Sequence, residues 1–150
     1  MYKVISTISV SFFVFIGWII YLANTGQKSI FFDLVARIPY GDKLGHFCLF
    51  GCLTLAANLL LKFRRVNFSN VPISNVPIYT GTVLVFLFVL IEELSQHFIP
   101  NRTLDGVDLI ADIIGIILFN FLTILLANWV EKLTADKHKN QHVNTTSSTK

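Results

Sequence analysis

The sequence predicts an all-α integral membrane protein in which four transmembrane helices form one compact bundle. Hydrophobic residues make up 53% of the 150 residues and charged residues only 14%, and the mean hydropathy is +0.64. Soluble domains carry roughly 25% charged residues, so this chain cannot cover a water-exposed surface with polar side chains. In addition, four apolar stretches are each long enough to cross a hydrocarbon core of roughly 30 Å at about 1.5 Å per residue.

The first predicted span covers about residues 4–23 and follows the positive charge of Lys3. A cleaved signal peptide also begins with a positive charge, but its apolar core is usually about 7–15 residues long. The apolar run of this chain is longer than that. A retained transmembrane helix is therefore the preferred interpretation of the first stretch.

The connection between the first two spans contains an apolar segment at residues 29–38. Four apolar residues recur there at helical spacing, namely Phe31, Leu34, Val35 and Ile38. The pattern fits a short helix lying at the membrane interface, and it fits a buried loop segment equally well. Pro39-Tyr40-Gly41 ends the segment in either case.

The three remaining spans are predicted at about residues 44–61, 78–98 and 107–130. The second of the four spans contains both cysteines, Cys48 and Cys52, whose four-residue spacing places them on one helix face. Two thiols do not complete a zinc site. Both cysteines are therefore expected to be small buried apolar side chains.

The connection between the second and third spans contains a perfect tandem repeat, Ser69–Ile73 followed by Ser74–Ile78. Its two prolines forbid a regular helix, and the repeat is interpreted as a loop duplication without a function. From Thr134 onward the chain is polar and lacks the apolar surface needed to order itself. Residues 1–133 are thus predicted to form the membrane domain, and residues 134–150 a disordered cytoplasmic tail.

The distribution of positive charge predicts the orientation in the membrane. Eight Lys and Arg residues fall at the two termini and in the second connection, whereas four fall on the other side of the membrane. Cytoplasmic segments carry the excess of positive charge, so both termini are predicted to be cytoplasmic and the first and third connections to face outward. The eight residues are Lys3, Lys62, Arg64, Arg65, Lys132, Lys137, Lys139 and Lys150, and the four are Lys28, Arg37, Lys43 and Arg102.

This topology brings three polar helix ends to the outer face. They are the start of the second span with Asp42, Lys43 and His46, the end of the third with Glu92, Glu93 and Gln96, and the start of the fourth with Asp105, Asp108 and Asp112. Asp42 and His46 are four residues apart and can share one helix face, and Glu92 and Glu93 lie four and three residues before Gln96. The three aspartates fall at i, i+3 and i+7, which is one stripe on the fourth helix. Ionisable side chains inside a membrane are costly and by default mark a functional site or a buried polar lock.

Several of these residues also have a purely structural interpretation. Asp42 is a candidate N-cap for the second span, and Asp105 is one for the fourth. Asp108 would be favoured by the helix dipole in the first turn, and Lys43 would extend its ammonium to the interface. His46 would then be a hydrogen-bonded core histidine.

The chemistry of the group leaves several functions open. One histidine with several carboxylates can hold a divalent metal or act as an acid–base pair, and Arg102 is suited to gripping a phosphate or carboxylate. No catalytic set is assigned, and neither a metal nor another cofactor is predicted. Nucleic-acid binding is not expected, because the net charge of +3 includes no basic aromatic stripe. No oligomeric state is assigned, since the glycines Gly17, Gly51, Gly81 and Gly115 are dispersed along the spans.

The spacing of these residues resembles that of the VanZ-like family of bacterial membrane proteins over about residues 42–126. The matching positions are Asp42-Lys43-x-x-His46-Phe47-x-x-Phe50, Glu93-x-x-Gln96-x-Phe98, Arg102, Asp108 and Gly115. Asp112 departs from the pattern, because the family often has asparagine there. The resemblance implies a protein of the bacterial inner membrane and cell envelope, linked to low-level resistance to the glycopeptide teicoplanin. It supplies no reaction.

The candidate site consists of Asp42, Lys43, His46, Glu93, Gln96, Arg102, Asp108 and Asp112. Three functions are compatible with it. The first is binding of a lipid-linked or phosphate-bearing, anionic envelope ligand at the outer leaflet. The second is a membrane enzyme that acts on an envelope lipid through His46 and Glu93. In the third, the polar groups only lock the packing of the helices.

Overall fold

The computed structural model describes residues 2–27, 30–66, 76–99 and 105–147, with side chains described except at 2–5, 31, 32, 36 and 136–147. These ranges contain no β-strand beyond a single bridge between Arg65 and Tyr79. The all-α prediction is therefore confirmed. The helices are α1 (Tyr2–Asn24), α2 (Ile30–Ala36), α3 (Gly41–Leu60), α4 (Thr80–Gln96) and α5 (Gly106–Ser147).

Within the part of the chain that the structure describes, three helices are long and apolar enough to cross a membrane, in the segments Ser6–Asn24, Gly41–Leu60 and Gly106–Ala135. These segments correspond to the first, second and fourth predicted spans. The third prediction falls on α4, which has 17 residues and is shorter than predicted. At about 1.5 Å per residue, α4 reaches about 25 Å, slightly less than the thickness of a typical hydrocarbon core.

Helix α4 is shorter than predicted at both ends, and each end has an identifiable reason. At its start, the carbonyl of Ile78 accepts a hydrogen bond from the N–H of Val66 at 3.0 Å, and Ile78 lies outside the helix, which begins at Thr80. At its end, Ile99 precedes Pro100, and a residue before proline is disfavoured from the helical region. The third apolar stretch thus contributes a helix that stops short of the predicted bounds at both ends.

The short helix between the first two spans is present as α2, in agreement with the helical alternative. A tight turn joins it to α3, with Tyr40 at a left-handed φ of 57°. Gly41 lies so close to the carbonyl oxygen of Val35 that a Cβ would overlap it, which explains the glycine. Helix α3 therefore begins one residue before Asp42. The prediction that Asp42 caps α3 is wrong, because Tyr40 occupies the cap position and makes no side-chain capping bond.

Helix α3 is the centre of the bundle and packs against α1, α2, α4 and α5, most extensively against α5. The apolar core lies between these helices. It consists of Ile16 from α1, Phe50, Leu53 and Ala57 from α3, Val85 and Val89 from α4, and Ile116 from α5.

The polarity of the described surface is inverted relative to that of a soluble protein. Large apolar side chains such as Val14, Ile117 and Trp129 are at least 60% exposed. Several of the largest fully buried side chains are polar, among them Glu93 and Asp112. Soluble monomers rarely expose so much contiguous apolar surface, so the helices are built to face lipid.

Two predictions about side chains and order are corrected by the structure. Cys48 is exposed on α3 and Cys52 is only partly buried, because the packing of neighbouring helices, and not the spacing within α3, decides which positions are covered. The segment predicted to be disordered is helical through Ser147, as a continuation of α5. Once the apolar part of α5 has nucleated a helix, each further residue adds a hydrogen bond at little cost. Most of the tandem repeat, residues 69–75, lies outside the described residues.

A neutral polar network links three helices at the end of the bundle away from the ionisable residues. The Asn58 amide donates to the hydroxyls of Thr82 at 2.9 Å and Thr123 at 3.2 Å, and its oxygen accepts from the backbone N–H of Thr82 at 3.0 Å. The Thr82 hydroxyl donates to Asn120 at 2.7 Å. We call Asn58, Thr82, Asn120 and Thr123 the neutral lock. Sequence reasoning missed it, although a lone asparagine within an apolar stretch was a visible signal.

Candidate functional site

The ionisable residues of α3, α4 and α5 meet at one end of the bundle. We call this group the polar cluster. Seven of the eight predicted site residues lie in it, and Arg102 lies outside the described residues. At about 1.5 Å per residue, His46 and Asp112 sit roughly 7–9 Å in from the helix starts. The cluster consists of Asp42, Lys43, His46, Glu92, Glu93, Gln96, Asp105, Asp108 and Asp112.

Lys43 joins the start of α3 to the start of α5. Its ammonium lies 2.7 Å from a carboxylate oxygen of Asp105, 2.7 Å from one of Asp108 and 2.9 Å from one of Asp42. The Lys43 side chain is 27% exposed, so these ion pairs are only partly screened by solvent. One cation thus holds three carboxylates at the mouth of the cluster.

Asp105 combines the predicted capping role with this ion pair. Its carboxylate accepts a hydrogen bond from the backbone N–H of Val107 at 2.9 Å, which confirms Asp105 as a cap of α5. The hydrogen bond from Lys43, together with the bond from Val107, holds the pKa of Asp105 below its ordinary value. Asp105 therefore stays ionised and fixes Lys43 against α5.

His46 occupies the interior of the cluster between α3, α4 and α5. Its Nδ1 lies 3.1 Å and 3.3 Å from the two carboxylate oxygens of Asp112, which is fully buried. The same nitrogen lies 4.0 Å from Glu93 Oε1, and Nε2 lies 3.9 Å from Asp108 Oδ2. Asp112, at the position where the VanZ-like family often has asparagine, is therefore the direct partner of His46.

Gln96 organises the two glutamates of α4. Its amide donates to Glu92 Oε2 at 2.9 Å and to Glu93 Oε1 at 3.1 Å. Glu93 is only 2% exposed, and its second oxygen, Oε2, accepts no hydrogen bond from the part of the chain that the structure describes. Buried carboxylate oxygens are normally paired, so this atom calls for an explanation.

The described cluster contains more acidic than basic groups. It contains the six carboxyl groups of Asp42, Glu92, Glu93, Asp105, Asp108 and Asp112, against the single ammonium of Lys43 and the imidazole of His46. Burial of unbalanced charge is costly in a medium of low polarity. The described residues therefore favour a cation or a hydrogen-bond donor as the complement of this site.

A cavity of about 520 Å³ opens beside the cluster, between α1, α2 and α3. Most of its wall is apolar, with α1 contributing Phe15, Ile19 and Ile20. Its polar wall includes Gln27 and the ionisable Asp42, His46 and Glu92. The volume lies within the range of about 300–1,000 Å³ that is typical of small-molecule sites.

Comparison of the chain with protein-family models, curated proteins and solved structures found no match in any of the three. The resemblance to the VanZ-like family therefore stays a prediction that rests on the residues quoted for it.

Proposed function

We propose that this chain is a VanZ-like integral membrane protein of the bacterial cell envelope that binds a lipid-linked envelope ligand in the cavity beside the polar cluster. Inner-membrane placement and the link to teicoplanin-type glycopeptide resistance follow from the resemblance alone. The single observation that carries the binding proposal is the cavity, because its apolar walls run directly into ionisable groups.

The proposal includes four transmembrane helices with both termini in the cytoplasm. The excess of positive residues at the termini and in the second connection supports this orientation. The position of α4 also supports a fourth span, since α4 packs within the bundle against α3 and α5. Hydrocarbon thickness adapts to a short helix at modest cost, so 17 residues suffice for α4 to span.

The fourth span can be tested by locating the two termini, because an odd number of spans would place them on opposite sides. Green fluorescent protein fused to either end is expected to fluoresce, since it folds in the cytoplasm. Alkaline phosphatase fused to either end is expected to be inactive, because its disulfides form only outside the cytoplasm. Fluorescence at one end only would reduce the count to three spans.

An amphiphile fits the cavity better than a fully polar ligand does. An acyl or prenyl chain would lie against Phe15, Ile19 and Leu49, and the head group would reach His46 and Glu92. The acidic character of the described cluster favours a head group with an amine or hydroxyl donors. An anionic head group would depend on Arg102, which lies outside the described residues.

Filling the cavity is expected to remove the lipid. Ile19→Trp adds an indole to the cavity wall, so lipid retained by the chain purified in mild detergent should fall at least tenfold. Mass spectrometry of the intact complex measures retention after equal exposure to phosphatidylethanolamine, phosphatidylglycerol and undecaprenyl phosphate. Ile8→Trp is the matched control, since Ile8 lies on the same helix, is 64% exposed and does not line the cavity.

The three lipids distinguish the possible head groups. Retention of phosphatidylethanolamine alone would support an amine-bearing head group, and retention of both anionic lipids would support a role for Arg102. Equal retention by the Ile19 and Ile8 variants would rule out the cavity as the binding site.

A second candidate function is supported by the geometry of His46. Its Nδ1 is held by the buried Asp112 carboxylate, and the histidine lines the cavity. An imidazole oriented by a carboxylate is the usual arrangement of a general base. The alternative is therefore a membrane enzyme that acts on an envelope lipid through His46, with Asp112 positioning it.

A further inference from the structure

The geometry points to a binding site for one divalent transition-metal ion formed by His46, Glu93 and Asp112. One nitrogen or oxygen atom from each of these residues lies within 4.8 Å of the others. The site goes beyond ligand binding in the cavity and does not depend on it. The three residues come from α3, α4 and α5, so an ion held here would tie together the three helices of the bundle core.

The distances between the three ligand atoms fit a single small ion if the side chains move only slightly. Two ligand atoms that each bind an ion at about 2.1 Å lie about 3.0–3.4 Å apart in tetrahedral or octahedral geometry. His46 Nδ1 and Asp112 Oδ1 are already 3.1 Å apart. Glu93 Oε1 is 4.0 Å from His46 Nδ1 and would need to approach by less than about 1 Å, which a side-chain rotation supplies.

Glu93 provides the observation that separates this site from an ordinary acidic cluster. The side chain is 98% buried, since its exposure is 2%, and Oε2 has no hydrogen-bond partner among the described residues. An unpartnered carboxylate oxygen in a low-polarity interior costs free energy unless a cation or proton neutralises it. A divalent ion between Glu93 and Asp112 would neutralise both carboxylates at once.

Neighbouring residues supply the outer support that metal sites need. Gln96 donates to Glu93 Oε1 at 3.1 Å and so fixes the orientation of that carboxylate. The ring nitrogen of His46 that faces away from Asp112 points toward Asp108, at 3.9 Å from Oδ2. Asp108 is in turn held by Lys43 at 2.7 Å. A ligating histidine commonly has such a carboxylate behind its second nitrogen.

The ligand types identify the class of ion. Mg²⁺ and Ca²⁺ prefer oxygen ligands alone, whereas a set of one imidazole and two carboxylates suits Mn²⁺, Fe²⁺ or Zn²⁺. Thiolates are not among the ligands, which disfavours Cu⁺. Zn²⁺ and Mn²⁺ are therefore the ions to test.

The experiment uses the full-length chain, purified in detergent without a histidine tag and stripped with a chelator. Equilibrium dialysis followed by elemental analysis is expected to show one Zn²⁺ or Mn²⁺ per chain. Glu93→Gln preserves the size and the hydrogen bond from Gln96 but removes the charge, and should weaken binding at least tenfold. Glu131→Gln is the matched control, since the side chain of Glu131 is 71% exposed on α5.

Two further measurements keep the result decisive. His138 and His142 are four apart and could bind the same ions, so H138A/H142A is tested and should retain the bound ion. X-ray absorption on the loaded wild-type chain should show one imidazole nitrogen among oxygen ligands, whether or not the Glu93 variant folds. Absence of a stoichiometric ion, an all-oxygen ligand shell, or loss of the ion in H138A/H142A would overturn the proposal.

Discussion

Replacement of Gly115 by alanine is expected to lower the free energy of unfolding by about 2–3 kcal/mol, the upper part of the range for overpacked sites. Gly115 lies on α5 against the backbone of Phe47 in α3. A Cβ at this position would overlap the Phe47 carbonyl oxygen and lie 3.2 Å from the carbonyl carbon. Backbone atoms cannot rotate away as a side chain can, so α3 and α5 would have to separate.

Replacement of Gly115 by alanine should also weaken binding at the polar cluster. Phe47 follows His46 directly, and Gly115 lies three residues after Asp112, so the contact sits at the level of the 3.1 Å pairing between His46 and Asp112. Separation of the helices would lengthen that pairing. Lipid retention or metal binding should therefore fall together with stability.

Gly17→Ala is the control for this prediction. Nothing lies within 4 Å of a Cβ built on Gly17 of α1. In an open helical position alanine is favoured over glycine by about 1 kcal/mol, so this variant should be as stable as the wild type or more stable. Unfolding of the detergent-solubilised chain in increasing dodecyl sulfate, followed by circular dichroism, measures both variants. Equal stability of the Gly115 and Gly17 variants would contradict the close packing of α3 on α5.

Replacement of Asn58 by leucine is expected to cost about 2–4 kcal/mol, from the loss of a helix cap together with buried hydrogen bonds. Asn58 is fully buried, and its side-chain oxygen accepts the backbone N–H of Thr82 at 3.0 Å. Thr82 is the third residue of α4, so Asn58 satisfies a first-turn N–H that Tyr79, at the cap position, does not satisfy. Leucine of similar volume would leave this N–H without that partner and would break the links to Thr82 and Thr123.

The matched control is Asn128→Leu, the same substitution at an exposed position of α5. The exposed Asn128 is not part of the buried neutral lock, so its replacement by leucine should leave the free energy of unfolding unchanged or raise it. The dodecyl sulfate unfolding transition again provides the measurement. If the Asn58 variant unfolds at the same denaturant concentration as the Asn128 variant, the neutral lock contributes no net stability.

Individual residues show where sequence reasoning succeeded. Composition alone indicated a lipid solvent, and the exposed Val14, Ile117 and Trp129 agree with that. Helical spacing placed His46 on the same face as Asp42, and both lie in the polar cluster. These predictions depend only on the period of the helix and on the cost of burying charge, which are properties of the local sequence.

Other residues show where sequence reasoning failed. Asp42 was predicted to cap α3, but the left-handed Tyr40 and the contact of Gly41 with α2 start the helix earlier. Cys48 was predicted to be buried and is exposed. Asn58 was not recognised as part of a network at all. Each of these outcomes depends on a contact with another helix, which the local sequence does not contain.

By itself, the sequence determined the solvent of this protein, the approximate positions of its apolar helices, and the gathering of ionisable residues at a few helix ends. Only the tertiary structure decided which of those residues touch, pairing His46 with Asp112 and Lys43 with Asp105 and Asp108. Residue spacing fixes the face of one helix on which a side chain lies. The rotation and depth of one helix against another are set by packing, as at Gly115 on Phe47, and these decide the distances between side chains.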